Sequence, residues 1–353
     1  MKLTMAVAAL VATTALAIVS KPVEARALKV QTSQNSGIST FNFITEKWAP
    51  KLAKMTDGAV TIDLLPIGSV VPYRDTLNAT SMGILDGDLT AIGYFSGLDP
   101  ALALMGDLVA GYDNPDQMQM FCEVGGGTEL LQKIYDEINP GVHVVGCGPY
   151  NKEALVSRVP IRAVADFQGK KVRSPEGLPS DLFARMEASP VSLPQSEVFT
   201  ALDKGVVDAS DASAYSNNQK AGMHEIARYP IYPGIHSMSM LQFTLNQEVW
   251  DGLSEAQKAI VETWWQAMIV DLRRFSLEED QKAVAEDLAG GKVEIVDWPQ
   301  SERDKLRGIA QEAWKSYADR SELAREAYEA HLKFMKSIGL NADASEAAET
   351  SSN

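Results

Sequence analysis

The sequence predicts an α/β protein with two lobes, because strand and helix patterns alternate along the chain and a turn pattern from the first half returns in the second. In the first half the patterns follow the order strand 28–33, helix 39–55, strand 58–65, helix 73–85 and strand 89–94. A helix ending in Met-Gly-Ile-Leu-Asp-Gly at 82–87 is echoed by one ending in Lys-Gly-Val-Val-Asp-Ala at 204–209. The echo supports two lobes, and a coincidence of common stop-and-turn residues is the alternative interpretation.

A long helical pattern occupies the second half of the chain. It opens at Ser254, with Gln257 three positions later as in a capping box, and runs to about Leu288 before Gly290 ends it. About 35 helical residues would span roughly 50 Å, so we expect one helix that crosses and braces both lobes. Two helices joined by a bend are the alternative.

The C-terminal part is predicted to be helical. A short strand pattern at 292–296 comes before helical patterns at 299–317 and 321–339. Residues 341–353 are acidic and rich in Ala and Ser, and they lack large apolar side chains. This composition predicts a disordered tail.

The N-terminus has the features of a secretory signal peptide. Lys2 precedes an uncharged apolar run, and Ala25-Arg26-Ala27 forms a small-x-small cleavage site. An N-terminal anchor helix is the alternative, but Lys21 and Pro22 interrupt the run before it reaches spanning length. We therefore expect residues 1–27 to be removed and the mature protein to be periplasmic.

The charge of the chain restricts its partners. The formal net charge is −15, and loss of Lys2, Lys21, Glu24 and Arg26 with the signal peptide makes it −17. Such an acidic surface argues against nucleic acid and against anionic membrane surfaces as partners. An anionic ligand would have to be captured by individual cationic side chains.

The two cysteines, Cys122 and Cys147, leave two interpretations open. They are 25 residues apart in a chain that is expected to reach an oxidising compartment, where disulfides form. A disulfide and a pair of buried free thiols fit the sequence equally well.

The sequence contains no recognisable catalytic motif. Its four histidines fall at no metal-ligand spacing, and no nucleophile elbow or phosphate-binding loop is present. The glycines at 125–127 lie between two helical patterns, which is typical of a loop or cap. We therefore predict neither an enzyme nor a metal protein.

Polar and aromatic side chains at strand ends predict a binding site. Arg173 ends a short strand, and Asp211 ends a later strand 38 residues on. Ligands of α/β proteins bind at such ends, and a guanidinium is a natural partner for a carboxylate. The other candidates at strand ends and loop tips are Tyr94, Phe95, Tyr150, Asn151, Glu153 and Tyr215. Each has a plainer interpretation, as a surface charge, a loop acid or a packed aromatic.

Several motifs, taken in order, resemble the DctP-like family, the extracytoplasmic solute-binding proteins of TRAP transporters. The ordered motifs are Arg158-Val-Pro-Ile161, Asp166-Phe-Gln-Gly-Lys-Lys-Val-Arg173, Gly205-Val-Val-Asp-Ala209, Gly83-Ile-Leu-Asp-Gly87 and Pro66-x-Gly68. The resemblance covers nearly the whole mature chain. It implies a two-lobe periplasmic-binding-protein-like fold, with a long lobe-spanning helix and a helical C-terminus.

The resemblance also implies a division into lobes and a mode of action. We predict lobe I from 28–148 and about 241–290, and lobe II from 149–240 and about 291–340. The lobes are expected to close on a small anionic organic ligand and deliver it to membrane permease subunits. The arginine that matches Arg173 is expected to form a salt bridge with the ligand carboxylate.

One departure from the family pattern bears on cofactors. In the branch that resembles 2-oxo-acid or lactate binders, an acid at the position of Asp211 is followed by a large aromatic and helps to hold a cation. Here Ala212 follows. We therefore predict no cofactor and leave a ligand-bridging cation at Asp211 as the alternative.

Other functions remain as alternatives. A carboxylate, including a hydroxy or oxo acid, is the expected ligand, and a sulfonate would suit the same guanidinium. The protein could instead be a receptor for a sensor or for another class of transporter. An exported lyase or hydrolase would use Asp211 or Glu153 as its base, with Arg173 as the anion anchor.

Overall fold

The computed structural model describes residues 26–235 and 237–340. The strands, in chain order, are β1 (Arg26–Thr32), β2 (Val60–Leu65), β3 (Gly87–Ala91), β4 (Val142–Pro149), β5 (Ala154–Ser157), β6 (Lys171–Arg173), β7 (Ser189–Val191), β8 (Ala209–Ser213) and β9 (Met240–Asn246). The α-helices are α1 (Ser39–Phe43), α2 (Ala49–Met55), α3 (Thr76–Ser81), α4 (Ala101–Gly106), α5 (Pro115–Val124), α6 (Gly127–Ile138), α7 (Leu178–Arg185), α8 (Val198–Asp203), α9 (Tyr215–Lys220), α10 (Met223–Ile226), α11 (Gln247–Asp251), α12 (Glu255–Gly290), α13 (Gln300–Ala318) and α14 (Glu322–Ser337). A π-helix, Ile44–Trp48, joins α1 to α2.

The first sheet has five strands in the order β2-β1-β3-β9-β4. Strand β1 runs parallel to β2 and β3, whereas β9 is antiparallel to both β3 and β4. The segment 240–246 therefore returns from the second half of the chain to complete the first sheet. Strand β1 begins at Arg26, two residues before the mature start that the cleavage pattern predicts.

The second sheet has four strands in the order β5-β8-β6-β7. Strand β6 lies parallel to β7 and β8, and β5 is antiparallel to β8. Arg173, the last residue of β6, pairs with Ser210, the second residue of β8, and therefore lies next to Asp211. An irregularity in the β5–β8 register falls opposite Ala212, the residue that follows Asp211.

Helix α12 is one continuous helix of 36 residues, as the sequence predicted. Ser254 and Gln257 form the expected capping box, and Gly291 ends the helix in the left-handed conformation. The apolar first half, including Trp264 and Met268, packs on the first sheet. The second half contacts α9 of the other lobe. The alternative of two helices joined by a bend is wrong.

The C-terminal helices α13 and α14 lie close to their predicted positions, but the strand predicted at 292–296 is wrong. Val296 makes only an isolated bridge to Ile231. Helix α14 packs on α4, α6 and α13, so part of the segment assigned to lobe II contacts helices assigned to lobe I. The boundaries between the lobes remain a prediction.

The predicted signal peptide, apart from Arg26 and Ala27, and the predicted tail fall outside the described residues.

Cys122 and Cys147 form a disulfide, with their Cα atoms 5.7 Å apart. The bond joins α5 to β4 and settles the choice that the sequence left open. No helix among the described residues combines the length and the hydropathy needed to cross a bilayer.

Candidate functional site

A cleft between the two sheets has two connected compartments. The larger, of about 180 Å³, is lined by Gln34 and Tyr94 from the first lobe and by Tyr150, Glu153 and Asn217 from the segments after it. The smaller, of about 40 Å³, is lined by Arg173. Ala91, Tyr94, Glu153, Ala212 and Ser239 line both compartments. The two spaces therefore form one site with an arginine end and an amide-rich end.

Arg173 is held in place by backbone carbonyls. It ends β6 and is only 2% exposed. Its Nε donates to the Leu193 carbonyl at 2.9 Å, and its Nη1 donates to the Asp211 carbonyl at 2.6 Å. A guanidinium has five N–H groups, so these bonds fix its plane and leave other donors for a ligand at the smaller compartment.

Glu153 is the centre of a buried acidic cluster. Its Oε1 accepts from the Tyr150 hydroxyl at 2.9 Å, and its Oε2 lies 3.2 Å from the Ser237 Oγ. The same Ser237 hydroxyl also contacts Asp107 Oδ2 at 2.5 Å. One hydroxyl hydrogen therefore lies between two carboxyl groups, an arrangement that favours a proton on one of them.

Burial is the largest cause that raises the pKa of Glu153 well above its usual range. The charge of Asp211, a hydrogen bond to the Asp211 side chain and the charge of Asp107 raise this pKa further, whereas the Tyr150 hydrogen bond lowers it. Burial and the neighbouring acids therefore make the Glu153 carboxyl easier to protonate than an exposed glutamate.

Tyr94 forms a wall common to both compartments. It lies in the 3₁₀-helix Ile92–Phe95, directly after β3, and packs edge-on against Tyr73 with the ring centroids 4.7 Å apart. Burial raises the pKa of Tyr94 to about 12, although the nearby Arg173 charge acts in the opposite direction. Its hydroxyl is therefore a neutral hydrogen-bonding group at any physiological pH.

Asp211 does not line the cleft but contacts residues that do. The residue is fully buried in β8 and lines neither compartment. Its backbone carbonyl orients Arg173, and its carboxyl raises the pKa of Glu153. The structure thus gives Asp211 a positioning contact, whereas the sequence pointed to contact with a ligand.

Three other candidates from the sequence lie away from the cleft. Phe95 is 2% exposed and belongs to the apolar core around α4. Asn151 donates to Asp280 at 3.0 Å on helix α12, and the Tyr215 hydroxyl donates to Asp287 at 2.7 Å. Strand-end position alone could not show that these side chains point toward the core or the long helix.

Sequence reasoning missed the adjacent pair Asn217 and Asn218. Both line the larger compartment. Asn217 Nδ2 donates to the Ser213 hydroxyl at 3.1 Å, and Asn218 Nδ2 donates to the Ala154 and Ser213 carbonyls at 3.0 and 2.9 Å. Their place in the helix directly after β8 is the signal that could have identified them, because such helices begin at the ligand-binding edge of the sheet.

The acidic side chains do not assemble a metal site by themselves. In residues 26–235 and 237–340, no three His, Cys, Asp or Glu side chains come together in an arrangement that could hold a metal ion. Glu153 and the amide oxygen of Asn217 are oxygen donors at the larger compartment, and hard cations prefer such donors. A bound cation would therefore need further donors from its ligand.

The chain belongs to the DctP family, described as bacterial extracellular solute-binding protein, family 7, whose model matches residues 32–321. It is 39% identical to a TRAP periplasmic solute-binding protein from Rhodobacter sphaeroides, solved in an apo open state. That comparison covers 90% of this chain and 100% of the other, with a TM-score of 0.74. The family and the two-lobe α/β fold expected from the sequence are thereby confirmed.

Two further relatives extend the comparison. The chain is 27% identical over 318 residues to the monocarboxylate 2-oxoacid-binding periplasmic protein of Nostoc sp., which covers 88% of this chain and 84% of that protein. A TRAP solute-binding protein from Bordetella bronchiseptica, with calcium and picolinate in its site, shares the fold. Its TM-score is 0.81 at 22% identity, over 89% of this chain and 93% of that one. The family and fold are those of substrate-binding proteins, and these relatives are periplasmic or TRAP-associated by name.

Proposed function

We propose that this protein is the extracytoplasmic substrate-binding subunit of a TRAP transporter and that it captures a small organic carboxylate in the cleft between its lobes. The observation that carries the proposal is the Arg173 guanidinium, buried at one end of the cleft and already oriented by two carbonyls. A preoriented guanidinium binds a carboxylate without first losing side-chain freedom.

The energy of one arginine contact is not sufficient for tight capture. A hydrogen bond to a charged group contributes about 1.5–3 kcal/mol, whereas micromolar affinity requires about 8 kcal/mol. Closure of the two lobes around the ligand and contacts with Tyr94 and the larger compartment would supply the difference.

Support for the ligand class comes from the relatives. The Nostoc relative is named for monocarboxylate 2-oxoacids, and the Bordetella relative holds picolinate, itself a carboxylate. A hydroxy or oxo acid is therefore a suitable ligand for this chain. Because Ala212 follows Asp211 where the resemblance to 2-oxo-acid binders implies a large aromatic, we propose binding without a resident cofactor.

The proposal includes export and delivery. The N-terminal pattern predicts a cleaved signal peptide and a periplasmic protein, and the family relationship supports membrane permease subunits as the partners. The protein would bind and release its ligand without chemical change, because its family and fold are those of substrate-binding proteins.

A thermal-shift screen tests this function. We would compare short carboxylates, including pyruvate, lactate, succinate and picolinate, with their neutral carboxamides. A ligand that binds only the folded state raises the melting temperature. At least one carboxylate should raise it by several degrees, while the matched amide leaves it unchanged. Equal effects of acids and amides, or no effect of any acid, would contradict the proposal.

A further inference from the structure

The cleft contains more acid than a receptor for a simple carboxylate requires. Of the described residues that line the two compartments, Arg173 alone carries a positive charge. Glu153 and Asp107 line the smaller compartment, and Asp211 lies against Glu153. A plain carboxylate would therefore add negative charge to a buried site in which acids already outnumber the cation, and burial makes such repulsion strong.

A second observation points to a ligand that donates hydrogen bonds. Asn217 is 5% exposed and Asn218 is fully buried, and both line the larger compartment. Their Oδ1 atoms accept no hydrogen bond from the described part of the protein, although both Nδ2 groups are bonded. Buried acceptors of this kind are normally satisfied, so a donor from outside the chain fits them.

Hydroxyl groups connect Glu153, which lines both compartments, to Asn217 in the larger one. The Tyr150 hydroxyl bonds Glu153 and lies 3.2 Å from the Ser213 hydroxyl, which in turn accepts from Asn217. Arg173 instead contacts the carbonyl of Asp211, two positions earlier in β8. At about 3.3 Å per residue of strand, the backbone positions of Asp211 and Ser213, which contact Arg173 and Asn217, are roughly 7 Å apart.

We infer that the ligand is a short zwitterionic aminocarboxylate, whose carboxylate binds Arg173 and whose ammonium group binds Glu153, Asn217 and Asn218. An ammonium group has three N–H donors for these three acceptors, and its charge offsets the acidic cluster. The inference rests on the proposed function, because it assigns the second charged group of the same ligand. A primary ammonium suits amide oxygens better than a quaternary one, which has no N–H to donate.

The first test uses matched ligands and the wild-type protein after removal of metals with EDTA. Glycine, β-alanine, γ-aminobutyrate and 5-aminovalerate would each be compared by calorimetry with the plain carboxylate and the plain amine of the same length. At least one aminocarboxylate should bind at least tenfold more tightly than both of its counterparts. Plain carboxylates that bind as tightly would overturn the inference while leaving the proposed function intact. Plain carboxylates that bind only after calcium is added would overturn the inference and also the proposal of binding without a resident cofactor.

The second test uses Glu153→Gln, with Glu329→Gln on the exposed face of α14 as the control. Glu153→Gln should weaken the aminocarboxylate at least tenfold and leave a plain carboxylate equally or more tightly bound, whereas the control should bind like wild type. Unchanged aminocarboxylate affinity would contradict the inference. If Glu153→Gln does not fold by circular dichroism, Asn217→Leu serves with the same expected selective loss. Failure of every carboxylate to bind would overturn the proposed function itself.

Discussion

Arg173 can anchor a ligand because backbone carbonyls hold its guanidinium in a fixed orientation. Leu193 and Asp211 supply carbonyl acceptors on two sides of the guanidinium, so the side chain is rigid before a ligand arrives. Its replacement therefore has two effects. It removes the anion anchor, and it removes a donor from the partly buried Leu193 carbonyl, whereas the Asp211 carbonyl keeps the Ser210 hydroxyl at 2.9 Å. The sequence alone predicted the first effect but not the second.

Asp88 provides a pH-dependent prediction at a single residue outside the cleft. It is fully buried, and Gln242 and Thr90 donate to it at 2.7 and 2.8 Å. Burial nevertheless raises its pKa to about 6 from 3.8. A group with a raised pKa stabilises the fold below its unfolded pKa, and this stabilisation is lost as the pH rises through about 6.

Asp88→Asn should therefore flatten the pH dependence of unfolding. The wild type should lose up to about 3 kcal/mol more than the variant between pH 4 and pH 7.5. Urea unfolding at both pH values, with the difference between the two proteins as the readout, checks this. Parallel pH profiles for the wild type and the variant would mean that Asp88 does not titrate in this range.

Among the elements, helix α12 holds the two lobes by different chemistry. Its first half is buried by tryptophans on the first sheet, whereas its second half presents Asp280 to the second lobe. Asp280 accepts from Asn151, from the Ser216 backbone at 2.8 Å and from the Ser216 hydroxyl at 2.7 Å. Asp280 is the fully buried carboxylate of this contact, and Asp287, which accepts from the Tyr215 hydroxyl, adds a second one.

Asp280→Ala should destabilise the protein by about 3 kcal/mol, because several buried donors lose their acceptor. The matched control is Glu286→Ala, an exposed acid on the same helix, which should change stability by less than about 0.5 kcal/mol. Equilibrium urea unfolding measures both. Equal midpoints for Asp280→Ala and the control would show that the polar contact is dispensable.

The disulfide is a second link between secondary-structure elements. Cys122 and Cys147 join helix α5 to strand β4 across 25 residues. Closing a loop of that size restricts the unfolded chain and stabilises the fold by about 3 kcal/mol. The double variant Cys122→Ser, Cys147→Ser should lose about this amount in urea unfolding. Reductant should destabilise the wild type and leave the variant unaffected, and an equal response of both would contradict the assignment.

The elements show what periodicity can and cannot reveal. The capping box at Ser254 and the glycine after residue 290 predicted helix α12 correctly, because local signals determine where a helix starts and stops. The apolar pattern at 292–296 resembled a strand, but only Val296 finds a partner there. A strand exists only where a neighbouring strand pairs with it, and one sequence segment does not contain that information.

For the molecule as a whole, the alternation of patterns and the ordered motifs were enough to predict the family and the two-lobe fold. The residues of the binding site could be predicted from the sequence only in part. Tyr150 and Glu153 do line the cleft, but Asn151 between them bonds to helix α12. The turn that separates these neighbours depends on packing between lobes, which is a property of the folded molecule.

Ligand binding should also change the shape of the whole molecule. The cleft is lined from both lobes, so a ligand that contacts both walls favours the closed arrangement over an open one. Small-angle X-ray scattering should show a smaller radius of gyration with a saturating carboxylate than without it. The matched carboxamide should produce no change. Identical scattering with and without a bound carboxylate would rule out coupling between binding and closure.

The central claim is that Arg173 anchors a carboxylate, and calorimetry on Arg173→Lys tests it most directly. Lysine keeps the positive charge but lacks the planar fork of donors. The control is Arg325→Lys, at a side chain that is 61% exposed and far along the chain on α14. With a carboxylate found in the thermal-shift screen, we expect Arg173→Lys to bind at least a hundredfold more weakly and to keep a native circular dichroism spectrum. The control should bind with wild-type affinity. Binding by folded Arg173→Lys within tenfold of wild type would contradict it.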